Sequence, residues 1–164
     1  VRGDTVSIAA GAASSIDQYV GGRLARSIRL PGALAVVPES LVAEFKARRG
    51  AVAHGAGLID SVFDASLDSI PFSDYLPATG RLLGDARGDL WVQVAGLSDL
   101  APGDATLQWS VLAPDGSWLG QVALPPRFTV HEIGADYLLG VWLPDSGATV
   151  HVRSYRLITP AGGQ

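Results

Sequence analysis

Residues 80–125 read GRLLGDARGDLWVQVAGLSDLAPGDATLQWSVLAPDGSWLGQVALP, and this stretch decides the fold. Arg81 to Leu83 is a short strand. Asp85-Ala86-Arg87-Gly88 has the composition of a type I turn, in which Asp caps local amides and Gly takes the positive φ. Leu90 to Val94 is rich in β-branched and aromatic residues, a strand composition. Ser98 to Asp104 carries Pro102-Gly103 and reads as a loop. Thr106 to Leu112 alternates, with Leu107, Trp109 and Val111 on one face and Gln108 and Ser110 on the other. Asp115-Gly116 marks a hairpin. Trp118 to Leu124 returns, and Pro125-Pro126 ends it. Four antiparallel strands in roughly 45 residues have the dimensions of one propeller blade.

The flanks repeat parts of this unit. Gly22-Arg23-Leu24-Ala25-Arg26-Ser27-Ile28-Arg29-Leu30-Pro31 matches Gly116 to Pro125 at Gly, at a large apolar residue, at Ile or Val, and at Leu-Pro. A small residue, Asp and then a strand recur at Gly3-Asp4, Gly88-Asp89 and Ala135-Asp136. Asp89 and Asp136 lie 47 positions apart, the length of one blade. Upstream, Thr5 to Ala9, Ser15 to Val20 and Leu24 to Leu30 read as three strands, the first two joined by a turn at Gly11 to Ser14 and the last two at Gly21-Gly22. Arg23, Arg26 and Arg29 read as solvated residues of a blade edge. Downstream, Phe128 to Ile133, Tyr137 to Leu143 and Thr149 to Ile158 read as three more, with a turn at Pro144–Gly147.

Residues 32–79 interrupt the pattern. Leu34 to Val37 has strand character. A helix opens at Pro38-Glu39-Ser40, with Glu favourable at the positive end of the dipole, and Gly50 is its expected stop. Leu58, Ile59, Val62, Phe63 and Leu67 show helical spacing over 57–67. The expected organisation is therefore mainly β, with about two to two and a half antiparallel four-stranded blades and a helical insertion. Residues 1–31 form a partial blade of three strands. Residues 32–79 hold the insertion with one or two short helices, and 80–126 form a complete blade. Residues 127–158 form a last, three-stranded blade with an open edge, and 159–164 a tail. The start at Val1 and the lack of Met read as a fragment of a longer chain.

Composition narrows the function classes. Among 164 residues, 48% are hydrophobic and 17% charged, as in a globular domain. The net charge of −4 argues against nucleic acid as a partner. No apolar run approaches the ~20 residues of a membrane span. The chain has no Cys, so disulfides and thiolate chemistry are excluded.

His131 beside Glu132 is the candidate ligand-binding pair, since a His-Glu pair on a strand near a central channel could act as acid/base or ligand. His54 sits in a Gly-rich loop and His151 on a strand, and the three His have no metal-ligand spacing. No catalytic residues, metal ligands or cofactors are assigned. The turn residues Asp85, Asp89, Asp115, Asp136 and Asp145 read as caps, and Trp91, Trp109, Trp118 and Trp142 as core between blades.

Asp85-x-x-Gly88-x-Leu90-Trp91-Val92, Trp109-x-Val111 followed by Asp115-Gly116, Leu124-Pro125, Phe128-x-Val130, Asp136-Tyr137-x-Leu139-Gly140-Val141 and Val150-x-Val152-x-x-Tyr155-Arg156-Leu157 form a familiar series. It resembles the C-terminal end of bacterial six-bladed β-propellers of the NHL-like and TolB-like kind, over residues 80–158 and more loosely over 1–31. The resemblance implies a last blade completed by a strand from the protein's own N-terminus, and a periplasmic or extracellular address. It implies a non-enzymatic scaffold or binding platform for an unknown protein or small-molecule ligand, with the remaining blades of the propeller as further partners. The alternative is part of a propeller hydrolase or lactonase-like enzyme whose metal site lies mainly on other blades.

Overall fold

The computed structural model describes residues 4–9, 14–30, 34–55, 61–95, 106–144 and 149–158. The chain divides into two compact units. One comprises Val1–Ala33 with Pro77–Gln164, and the other Leu34–Leu76.

The larger unit is all antiparallel sheet. β1 (Thr5–Ala9), β2 (Ser15–Val20) and β3 (Arg23–Arg29) form sheet 1 in that order. β4 (Thr79–Gly84), β5 (Leu90–Val94), β6 (Leu107–Leu112) and β7 (Trp118–Leu124) form the four-stranded sheet 2. β8 (Phe128–Ile133), β9 (Tyr137–Trp142) and β10 (His151–Arg156) form sheet 3. The hairpins form where the turn chemistry demands them. Gly21 and Gly22 take φ of 56° and 78°, the pair of positive values that a two-residue type I′ turn needs. The loop expected at Ser98–Asp104, most of the turns at Gly11–Ser14 and Pro144–Gly147, and the tail 159–164 lie outside the described residues.

Sheet 2 is packed on both faces. Leu90, Val92 and Leu112 meet Ile16 and Ile28 of sheet 1. Trp91, Trp109, Val111 and Leu124 meet Phe128, Val130, Ile133 and Leu138 of sheet 3. This is why β5 reads Leu-Trp-Val without polar alternation: both of its faces are interior. The repeat of β3 in β7 has a matching consequence in space. Ile28 and Leu30 pack into the sheet 1–sheet 2 core, and their counterparts Val122 and Leu124 pack into the sheet 2–sheet 3 core. Each outer strand therefore faces the sheet that follows it in the chain. The Asp repeat does not keep this phase. Leu90, just after Asp89, faces the preceding sheet, whereas Leu138, second after Asp136, takes that role in sheet 3.

The unit Leu34–Leu76 holds α1 (Glu39–Gly55) and α2 (Ser61–Ser69). Its two ends are clasped by Val37 N–H to Asp74 O at 2.9 Å and Leu76 N–H to Ala35 O at 2.8 Å, around a single bridge between Val36 and Tyr75. The strand expected over Leu34–Val37 is reduced to that bridge. α1 is held by an edge-on Phe45–Phe72 contact at 5.6 Å and a Lys46–Asp68 ion pair at 2.9 Å. Gly50 does not stop α1. It lacks the positive φ of a C-terminal cap, and Ala51-Val52-Ala53 carries the helix on, so that His54 belongs to its last turn and not to a loop. Of the second expected helix, 57–60 lie outside the described residues and the helix runs from Ser61. No helix among the described residues is long and apolar enough to cross a membrane.

Candidate functional site

Strand β8 brings the expected pair to the surface. Along it, Phe128, Val130 and Ile133 are buried while His131 and Glu132 are both exposed. The cause is a β-bulge. Val130 pairs with Gly140 and Glu132 with Leu139, leaving His131 as the extra residue, so two consecutive side chains turn outward. Glu132 Oε1 accepts a hydrogen bond from the Tyr137 hydroxyl, which holds that phenol above its ordinary range. Arg81, on the edge strand β4, donates from Nη1 to Val130 O at 2.7 Å and ties sheet 2 to sheet 3 beside the bulge. An imidazole and a carboxylate thus stand exposed on the edge strand β8, just past the carbonyl that the Arg81 guanidinium holds. That edge can exchange hydrogen bonds with a polar ligand. Among the described residues no group of three His, Cys, Asp or Glu side chains is placed to hold a metal ion.

The Asp residues do different work. Asp85 is 7% exposed. Its Oδ1 accepts from the backbone N–H of Arg87, Gly88 and Asp89 at 2.8–2.9 Å, and its Oδ2 from Trp91 Nε1 at 3.2 Å. It therefore ties the β4–β5 turn to the core. Asp115 caps its own exposed turn through Ser117, whose hydroxyl and amide bonds hold the carboxyl below the ordinary carboxylate range.

Burial pushes the Asp89 carboxyl above its ordinary 3.8, the Asp85 carboxylate adds to the rise, and Arg87 opposes it. The folded chain therefore binds this proton more tightly than the unfolded chain. Its contribution is most favourable below the ordinary value and declines as pH rises through the raised one. Water still reaches the carboxyl and screens it, so the effect is small. Asp89→Asn, which cannot ionise, is expected to stabilise the fold at pH 7 by up to about 0.5 kcal/mol, with the gain vanishing below about pH 3.8. Urea titrations at pH 3.5 and 7 check this, and a gain of equal size at both values would refute the sign.

Among the described residues, two crevices run between the sheets. The one between sheets 1 and 2, about 380 Å³, has polar and apolar walls in about equal measure. In it Gln18, 7% exposed, donates to Ser7 Oγ at 3.1 Å and accepts from Arg26 Nε at 2.5 Å, and Arg26 Nη2 reaches across to Pro114 O. Arg26, expected at a solvated edge, is instead a strut between sheets. The second crevice, about 360 Å³ between sheets 2 and 3, has Trp91, Val111, Val122 and Leu157 in its lining. There the repeat puts Gly120 where Arg26 stands, so the strut has no counterpart at that position. The four Trp also part company. Trp91 and Trp109 are core, Trp142 lies under the Arg153 guanidinium at 3.6 Å, and Trp118 is 59% exposed. Trp118 does not sit between blades as its sequence context implies. It opens the outer edge strand β7, just past a β-bulge in the β6–β7 pairing that breaks the alternation.

Sequence reasoning missed Gln18, Arg26, Arg81 and Tyr137. Only Arg26 had a usable signal, as the one Arg of its trio that plain alternation puts on the same face of β3 as Ile28. No protein-family model, curated protein or solved structure matches the chain.

Proposed function

We propose that the chain is a section of a β-propeller and works as a non-enzymatic scaffold or binding platform. The observation that carries this reading is the packing used twice: sheet 1 onto sheet 2 and sheet 2 onto sheet 3, each through the Ile/Val and Leu of an outer strand. A stack that repeats one packing step is the arrangement from which blades are laid around an axis. The bulged edge at His131 and Glu132, with Arg81 beside it, is the proposed ligand-facing surface. The six-bladed class, the NHL-like or TolB-like kinship, a bacterial source and a periplasmic or extracellular address belong to the same proposal and rest on the sequence resemblance of residues 80–158.

Negative-stain images of the protein that carries this chain test it. The expected particle is a ring of roughly four to eight sheets around a channel. A bare three-sheet stack, solvated at both ends, would sink the propeller reading.

A further inference from the structure

The crevice between sheets 1 and 2 is lined by two opposite charges that do not meet. Sheet 1 supplies Ser7, Gln18 and Arg26 to its walls, and the sheet 2 side supplies Leu82, Asp89 and Leu90. Asp89 stands just before Leu90, which pairs with Leu112, and Arg26 reaches Pro114 O two residues beyond Leu112. Both charges therefore lie at one end of sheet 2. Among the described residues the Asp89 carboxyl accepts no hydrogen bond and forms no ion pair. Burial and Asp85 disfavour its charge, Arg87 offsets them in part, and Arg26 is not one of the charges that act on it. Arg26 spends Nε on Gln18 and Nη2 on Pro114, and its Nη1 has no partner among the described residues. The carboxylate that feels Arg26 is Asp115, which stands in solvent.

We propose that this crevice binds a zwitterionic dipeptide, its ammonium on Asp89 and its carboxylate on Arg26. A ligand with a single charge would leave one of the two wall charges unmatched. An extended dipeptide holds its ends roughly 7 Å apart, which suits charges too far apart to pair with each other. Its peptide group meets the Ser7 hydroxyl and the Gln18 amide, and small side chains meet Leu82 and Leu90. The volume of about 380 Å³ lies within the range of small-ligand sites. Both end contacts are charge-assisted hydrogen bonds, the strong kind. The site needs only sheets 1 and 2, so it stands apart from the propeller reading and from the bulged edge on sheet 3.

The experiment is a titration of the isotope-labelled 164-residue chain with alanylalanine at pH 7, read from its amide NMR shifts. Saturable shifts are expected at Ser7, Gln18 and Asp89, with a Kd on the order of 1 mM or tighter. N-acetyl-alanylalanine lacks the ammonium and alanylalanine amide lacks the carboxylate. Each is expected to bind at least about 10-fold more weakly, the loss of one hydrogen-bonded charge. Asp89→Asn is expected to lose affinity for alanylalanine by the same factor and no longer to distinguish it from the acetylated form. Since that change stabilises the fold at pH 7, unfolding cannot account for the loss. Equal binding of the three compounds overturns the proposal, and so does an Asp89→Asn chain that binds like the wild type, or the absence of saturable shifts. Shifts confined to His131 and Glu132 overturn the crevice as the site and support the ligand-facing edge instead, so the two sites are told apart.

Discussion

Asp85→Ala is expected to remove about 3–5 kcal/mol of stability, a fall in Tm of roughly 6–20 °C for a chain of this size. The reason lies in how many donors converge on one carboxylate. Three backbone amides of the turn at 2.8–2.9 Å and the Trp91 indole at 3.2 Å share its two oxygens. Gly88 N–H keeps the Asp85 backbone carbonyl at 3.3 Å, but the Arg87 and Asp89 amides and the indole lose this acceptor in a half-buried turn, where each lost partner carries a desolvation cost of about 1–3 kcal/mol that water can offset only in part. The turn also anchors sheet 3 through Ala86 N–H to Ile133 O at 3.1 Å, so its loosening reaches the second core. Asp85→Asn separates the parts. Its carbonyl oxygen can still accept the three amides, more weakly for want of charge, but its NH₂ faces the indole N–H donor to donor. About half the loss is expected. Asp115→Ala, at a turn of similar sequence but exposed, should cost much less than Asp85→Ala. Urea unfolding followed by tryptophan fluorescence ranks the three variants. If Asp85→Ala and Asp115→Ala lose the same amount, the turn knot has been misread.

These two Asp residues show what the sequence could and could not convey. Both follow the same turn rule, and both cap turns. Nothing in the turn composition says that Asp85 is buried and bound to an indole while Asp115 stands in solvent, because burial depends on which sheet lies across the way. The strands themselves were legible, since period-two alternation and Gly-rich turns are local signals. The Gly22–Pro31 and Gly116–Pro125 repeat also carried the packing step, because it fixes which face of the outer strand is apolar. The mainly β architecture with its four-stranded central sheet followed from these. The bulge at His131 was not legible. It arises from a register shift between β8 and β9, a long-range pairing property, and it alone turns His131 and Glu132 to the same side. Gly50 misled for the complementary reason. A glycine marks a helix end only if the backbone there turns left-handed, and the residues after it preferred to continue. The face of Arg26 was legible but its partner was not, because the Pro114 carbonyl is 88 residues away along the chain.

Gly140→Ala is expected to cost about 3 kcal/mol or more, against the direction that strand preference alone would give. In an open strand, replacing Gly by Ala gains about 0.5–1 kcal/mol, because Gly loses more conformational freedom on folding. Space decides otherwise here. A Cβ on Gly140 would overlap the carbonyl oxygen of Thr129 and lie 2.5 Å from Cζ and 2.8 Å from Cε2 of Phe128. Neither neighbour can yield. The carbonyl belongs to the paired strand β8, and Phe128 is fully buried with its ring set edge-on against Tyr155 at a 5.0 Å centroid distance. Relief would need β8 to move off β9 or the ring to leave the sheet 2–sheet 3 core. Pairing Gly140→Ala with Phe128→Leu tests this cause. The second change opens room at the ring, so the double variant should be more stable than the sum of the two single losses by about 1 kcal/mol or more, a coupling of the size seen for residues in contact. Additive losses would mean that backbone clash with Thr129 dominates and the ring is a bystander. A Gly140→Ala chain as stable as the wild type would show that the two sheets are not packed this closely at all.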